Sequence, residues 1–308
     1  MKEFSFPSKG AGTIHAYRWE PELAPVAIIQ LVHGIAEYML RYDDFAKFLN
    51  SKGILVVAED HMGHGKSSGT KARLCFEGGW TAAVDDTHEL MRLTRKEYPN
   101  LPYFLFGHSM GSFMERTLLY RYPEENLRAA IICGTAWLPS VVLAAGEALC
   151  AIEKKRLGPT GHSAMLTKLM FGSYNHRFRP VKTPNDWICS NPDVVARYTS
   201  DPLCGEDATV SLASDMLTGI AMNQKRKNLK AMPKELPILF IAGKSDPVGN
   251  MGKGVRHTYR KFKQIGMQDV SIHLYDGRHE ILNEDNHAEI YEDVWNFIKS
   301  KLQNVTFL

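Results

Sequence analysis

The chain has 308 residues, a net charge of +3, 44% hydrophobic residues and 23% charged ones, as expected of a globular protein with one large domain, with or without an insertion. Lys225-Arg226-Lys227 and Lys154-Lys155-Arg156 are its best basic clusters; without interleaved aromatics they read as solvated faces, and nucleic-acid binding is not expected. No apolar stretch approaches the ~18 residues of a membrane span, residues 1–10 hold no signal-peptide core, and five scattered cysteines without a CxxC pair suit reduced thiols in a cytoplasmic protein.

Taken in order, residues 3–19 read as a polar-alternating hairpin at a sheet edge. Residues 27–32 (AIIQLV) form a buried strand, 41–53 a helix closed by Gly53, and 54–58 (ILVVA) a second strand. A helix over 79–98 stops at Pro99. Residues 103–106 give a third strand, 112–122 a helix and 128–133 a fourth strand. Between about 137 and 233 no strong strand run occurs, and Gly158-Pro159 and Thr183-Pro184-Asn185 break helical or irregular stretches. Alternation then resumes with a strand at 237–242, a helix at 253–266, a strand at 270–275 and a helix at 289–302. Apolar strands alternating with amphipathic helices predict an α/β fold with a mostly parallel central sheet covered on both faces. The expected core is 1–136 with 234–308, and the expected insertion is a helical cap over 137–233.

The chemistry starts at Gly107-His108-Ser109-Met110-Gly111. A G-x-S-x-G sequence between a strand and a helix predicts a nucleophile elbow, a turn so tight that its flanking positions must be small. The bland alternative makes Ser109 a helix N-cap. A serine hydroxyl needs a base to take its proton and an acid to orient that base. Asp246 follows the 237–242 strand and precedes Pro247, and His279 follows the 270–275 strand. Each lies past the carboxyl end of its own strand, in the order Ser, Asp, His expected of an α/β-hydrolase. Among 12 histidines, His33 precedes Ser109, His108 should point away from it, and His61 and His64 flank a glycine turn. Asp276 sits too close to His279 in its loop to back the imidazole. An attacked carbonyl also needs two N–H donors for its oxygen. Met110, after the nucleophile, should give one, and Ile35, in the loop after residues 27–32, the other.

At this point the chain resembles the monoacylglycerol lipase and lysophospholipase group of α/β-hydrolases, often labelled serine aminopeptidase S33. The resemblance rests on His33-Gly34-Ile35-Ala36-Glu37, Asp60-His61-Met62-Gly63-His64-Gly65-Lys66-Ser67, the Ser109 pentapeptide, Ser245-Asp246-Pro247-Val248 and Gly277-Arg278-His279-Glu280. It covers about 9–137 and 236–302, and it implies an α/β-hydrolase fold with a cap, the Ser109, Asp246, His279 triad and the Ile35 and Met110 donors. Tyr38-Met39-Leu40 departs from it, being bulkier and more apolar than the His-Ser-Gly usual there.

The other motifs fail. Gly65-Lys66-Ser67 has Asp60 where a phosphate loop needs glycine, and His279-Glu280 has Asn283 where a zinc protease needs histidine. Neither a cofactor nor a metal is expected. The apolar residues of the insertion are expected to cover Ser109, with Trp137, Leu138, Val141, Leu166 and Met170, together with Val248, lining an acyl pocket. The expected reaction is hydrolysis of small-molecule acyl esters, monoacylglycerols or lysophospholipids among them, with transient contact at a membrane surface. A peptidase or amidase on the same triad, with Glu147 or Glu153 holding an ammonium, is the alternative. An acyltransferase uses the same intermediate, and a non-catalytic receptor on the hydrolase fold is a third reading. Oligomeric state is not legible.

Overall fold

The computed structural model of the chain describes residues 1–67, 69 and 73–302; residues 303–308 of the expected core segment lie outside the described residues. Strands β1 (Lys2–Pro7) and β2 (Thr13–Trp19) form an antiparallel hairpin. The parallel strands are β3 (Ala27–Val32), β4 (Ile54–Glu59), β5 (Tyr103–His108), β6 (Ala129–Cys133), β7 (Ile238–Gly243) and β8 (Val270–Tyr275). One eight-stranded sheet results, in the order β1-β2-β4-β3-β5-β6-β7-β8. The hairpin lies at the edge as expected, but β2 pairs with β4 and buries Ile14, Ala16, Tyr17 and Trp19. Of the hairpin only β1 is an edge strand, and β8 forms the opposite edge of the sheet.

Strands β3 to β7 are buried end to end because each feeds two cores. Successive side chains point to opposite faces. Ile28, Leu55 and Leu105 enter one apolar cluster, while Ile29, Val56 and Phe104 enter the other. The first face is covered by α2 (Gly79–Glu97), α3 (Met110–Arg121) and α9 (Lys253–Gln264), the second by α1 (Asp43–Ser51) and α10 (His287–Leu302). The one polar residue inside β3, Gln30, has a partner at each end of its amide: it donates to Thr87 O at 2.8 Å and accepts from Tyr103 O–H at 2.6 Å.

Between β6 and β7 lie α4 (Ser140–Leu157), α5 (Ala164–Phe171), α6 (Pro192–Ser200), α7 (Val210–Gln224) and α8 (Arg226–Ala231). Side-chain caps start three of them: Ser163, Asn191 and Thr209 each accept from an N–H in the first turn. This insertion is not uniform. Helices α7 and α8 contribute Leu212, Ile220 and Leu229 to the first core cluster, and Asn223 bonds to Thr117 and Phe113 O of α3. At Gly219 a Cβ would lie 2.1 Å from the Trp80 ring, so α7 packs backbone-close on α2. Helix α6 sits in a separate small cluster with Trp187.

Candidate active site

Ser109 lies between β5 and α3 with φ 53° and ψ −119°, a left-handed conformation that costs a non-glycine residue on the order of 1–3 kcal/mol. The surroundings enforce it. A Cβ on Gly107 would lie 2.6 Å from Gly111 O, and one on Gly111 would lie 2.0 Å from Val32 O. Only glycine on both sides lets β5 turn into α3 against the end of β3. The Ser109 N–H donates to Cys133 O at 3.0 Å. Ser109 occupies the N-cap position, but its side chain makes no capping bond, which removes the bland reading. Among the described residues no hydrogen bond ties up its Oγ.

Asp246 and His279 follow β7 and β8, whose loops are laced together: Lys244 N–H donates to Tyr275 O at 2.8 Å and Ser245 N–H to Gly277 O at 3.0 Å. His279 Nδ1 and Asp246 Oδ1 lie 3.0 Å apart, both side chains buried. Asp246 Oδ1 also accepts from Val248 N–H at 2.8 Å. With its Nδ1–H donated to the carboxylate, the neutral imidazole leaves the Nε2 lone pair free. His279 and Ser109 line the same cavity without a direct hydrogen bond, and such bonds are commonly long before substrate binds. Asp276, the rival acid, points into solvent and pairs with Lys244.

Ile35 and Met110 also line the cavity, and among the described residues neither backbone N–H has a protein acceptor. Gly34 N–H is engaged, donating to Glu37 Oε1 at 2.7 Å, so of the two only Ile35 can present its N–H. Ala36 has a φ of 55°, and its carbonyl is held from the insertion by Gly205 N–H at 2.9 Å and Tyr198 O–H at 3.0 Å. The departing segment has a use here too: Tyr38 O–H donates to Asp201 at 2.8 Å, across to the insertion, and buried Met39 donates its N–H to Asp60 at 2.8 Å.

A buried charge network ties the loop of Ile35 to the loop of His279. Arg41 donates to Glu37 Oε2 at 2.7 Å and to both oxygens of Glu280 at 2.7 and 2.6 Å, with its guanidinium 4.8 Å from the Tyr198 ring centre. Burial alone would raise the Glu37 carboxyl, but the His108 hydrogen bond and the Arg41 charge outweigh it and hold it well below the usual carboxylate range. Tyr42 O–H lies 2.8 Å from both Glu37 Oε1 and His108 Nδ1. His108 does turn toward this network, and its Nε2 lies 3.2 Å from His279 O. His33 is a buried strut: Nδ1 is 2.7 Å from Gly34 O, and Nε2 accepts from His61 N–H at 3.0 Å. Burial, with His61 and His64 nearby, pushes its pKa well down, so it stays neutral. Burial likewise brings His64 down to about 3.

The cavity over Ser109 measures about 160 Å³. Leu138, Leu166, Met170 and Val248 line it as expected. Trp137 and Val141 do not. Trp137 turns away to pack against His257, ring centres 5.0 Å apart. Val141 is 72% exposed because Leu143, Gly146 and Cys150 set the inward face of α4; its neighbour Val142 reaches the cavity instead. Val142 and Leu169 both line the cavity and stay about half exposed, at 44% and 53%, which puts the mouth between α4 and α5. Trp187, unforeseen from sequence, walls His279 with ring centres 5.2 Å apart. Among the described residues no group of three His, Cys, Asp or Glu side chains is arranged to hold a metal ion.

Residues 24–286 match the family described as serine aminopeptidase, S33. The chain is 29% identical to a monoacylglycerol lipase of Mycolicibacterium smegmatis over 97% of its own length and 98% of that protein's. It superposes on a thermostable carboxyl esterase from Bacillus coagulans, crystallised with glycerol, with a TM-score of 0.87 at 30% identity, covering 98% of both chains. A lipase in its open form gives a TM-score of 0.88 at 26% identity, covering 98% of this chain and 99% of that one.

Proposed function

We propose that in this chain, which belongs to the serine aminopeptidase S33 family of α/β-hydrolases and is a serine hydrolase of carboxylic esters, the catalytic groups are Ser109, His279 and Asp246 and the substrate is a monoacylglycerol or a similar single-chain acyl ester. The observation that carries this reading is one cavity in which a strained, uncapped serine and an Asp-paired histidine meet apolar walls.

His279 Nε2 takes the Ser109 proton as Oγ attacks the ester carbonyl. The carbonyl oxygen becomes an oxyanion that accepts from the Ile35 and Met110 N–H groups, both of which belong to the cavity lining and have no protein acceptor among the described residues. Collapse of the intermediate breaks the ester C–O bond, and His279 returns the proton to the leaving alkoxide. Water then attacks the acyl-enzyme, His279 accepts its proton, and the free acid departs with Ser109 reprotonated. Asp246 holds the imidazole tautomer and balances its transient charge.

The apolar lining favours an acyl chain, and kinship to a monoacylglycerol lipase and to an esterase crystallised with glycerol supports a glycerol leaving group. A peptidase reading needs a free carboxylate for the substrate ammonium. The carboxylates of the cavity wall, Glu37 and Glu280, are both engaged by Arg41. Glu153 is bound to Arg156 and Ser163, and neither it nor Glu147 lines the cavity. We take 137–233 as the cap that sets substrate choice. Exposed Val141, Ile152, Met165 and Leu169 on α4 and α5 support transient contact with a lipid surface. No helix among the described residues is long and apolar enough to cross a membrane, and five unpaired, buried cysteines support a reducing, cytoplasmic setting.

The test is a fluorophosphonate probe on the purified protein, alongside panels of acyl esters and amino-acid arylamides. Labelling at Ser109 with turnover of esters over arylamides is expected. Ester hydrolysis retained by Ser109→Ala would overturn the assignment; a preference for arylamides would overturn the substrate class alone.

A further inference from the structure

A second cavity, of about 430 Å³, opens on the outside of the insertion and shares no lining residue with the one over Ser109. Arg177, Arg179, Lys182 and Arg278 line it. The only acid lining it is Asp186, and that carboxylate is already committed: it accepts from Lys182 N–H at 2.7 Å, from Thr183 N–H at 3.0 Å and from Thr183 O–H at 2.6 Å. The side chains of Arg177, Arg179 and Lys182 have no ion-pair or hydrogen-bond partner among the described residues. Elsewhere on this chain arginines and lysines commonly find a carboxylate.

Arg278 gives the groove a fixed floor. Its Nη1 donates to Asp186 O and Cys189 O, and its guanidinium lies over the Phe178 ring, 4.2 Å from the centre. These contacts hold the planar fork in place while its Nε and Nη2 keep no protein acceptor among the described residues. A guanidinium so positioned loses little entropy on binding an oxyanion and presents parallel donors to it. The positive character is one of side chains. The nearby start of α6 is capped, because Asn191 Oδ1 accepts from Asp193 N–H at 2.9 Å and Val194 N–H at 3.4 Å. Four cations facing one spent carboxylate repel one another until an anion joins them.

We propose that this groove is an anion site for a phosphate-type oxyanion, free in solution or carried on a lipid headgroup. Arg278 binds it as the fixed fork, and Arg177, Arg179 and Lys182 close over it as mobile charges. The site stands apart from the catalytic cavity and does not depend on the assignment of the reaction.

The test uses the full chain, R177E/R179E, and K225E/K227E as an equal charge reversal in a basic cluster away from the groove. Thermal melting in inorganic phosphate is compared with chloride at matched ionic strength, and melting without phosphate shows that each variant folds. Sedimentation with phosphatidylcholine vesicles, with and without phosphatidylglycerol, forms the second arm. Saturable stabilisation by phosphate is expected, weakened roughly tenfold or more in R177E/R179E and unchanged in K225E/K227E. If phosphate has no effect but phosphatidylglycerol vesicles bind with the same dependence on Arg177 and Arg179, the proposal stands with a headgroup as the source. If neither probe binds, or both variants lose binding alike, the groove is solvated surface charge only and the proposal falls.

Discussion

The sheet and the insertion use the same apolar residue types to different ends. In β3 to β7 every residue is buried, and alternation alone decides which core receives it. In α4, within one turn, Val141 faces solvent, Val142 reaches the cavity and Leu143 packs inward. A strand in a two-faced sheet has one burial state for all its side chains. A helix laid across a cavity mouth has three. In the proposed reading, therefore, the sheet fixes Ser109, Asp246 and His279 to their strand ends, and the insertion shapes what approaches them. If that division holds, damage at strand ends removes turnover on every ester. Damage in the insertion redistributes turnover among esters or leaves it alone.

The largest effect should come from Asp246→Asn. The amide cannot hold the His279 tautomer that leaves Nε2 free, and loss of this one charge drops kcat by about 10⁴-fold in a comparable triad. The loss should be equal for short and long esters, measured as kcat on a chain-length series. A loss confined to long chains would mean that Asp246 shapes the pocket rather than the chemistry.

Arg41→Met is next, because Arg41 joins both regions at once. It leaves Glu37 and Glu280 buried without their counter-charge, a defect that typically costs about 3–5 kcal/mol, read by urea unfolding at neutral pH. The linkage sign follows from the depressed Glu37 carboxyl. Its contribution is fully present above the unfolded value of 4.5 and declines as pH falls from there toward the folded value. Wild type should thus lose stability steeply below about pH 4.5, whereas Arg41→Met should show a shallower slope over the same range. Arg41→Lys should recover part of the stability but less of the activity, since an ammonium cannot bridge Glu280 with two parallel bonds.

That network also marks how far the sequence could be read. The meeting of Ser109 and Asp246-paired His279 at one cavity was legible because each of the three follows a strand of the parallel sheet, and strand ends on one side of such a sheet converge. That Ile35 and Met110 line the same cavity was legible by the same logic. The Arg41–Glu280 pair spans 239 positions and has no local signature; its two residues look like any charged pair on a solvated surface. Trp187 and Tyr198 lie in a stretch with no strand to anchor a register, so nothing in their spacing says that they face the site. Trp137 and Val141 were assigned to the pocket from apolarity alone; Trp137, ahead of α4, packs on His257 instead, and helix phase turns Val141 to solvent.

Met170→Trp should sharpen the comparison from the insertion side. The larger ring fills part of the cavity wall, and pocket changes of a few methylenes shift discrimination by about 1–3 kcal/mol, or 10–200-fold in kcat/KM. Long-chain esters should lose by that factor, while acetate and butyrate esters keep theirs. An equal loss for all chain lengths would mean that Met170 supports the triad.

The smallest expected effect is the most specific to the insertion. Val141 is 72% exposed and touches neither the core clusters nor the cavity, so Val141→Asp should change unfolding free energy by no more than about 0.5 kcal/mol. Hydrolysis of a water-soluble short ester should be unchanged. Turnover of a long-chain ester presented in vesicles should fall, because a charge replaces an apolar side chain beside the cavity mouth where a lipid surface would meet it. Phe104→Ala in β5 gives the opposite pattern, with a stability loss of about 3–5 kcal/mol whatever the substrate. If Val141→Asp instead lowers stability as a core substitution does, then α4 is packed more tightly than its exposure indicates, and the contrast between a rigid sheet and an adaptable insertion fails at its outermost residue.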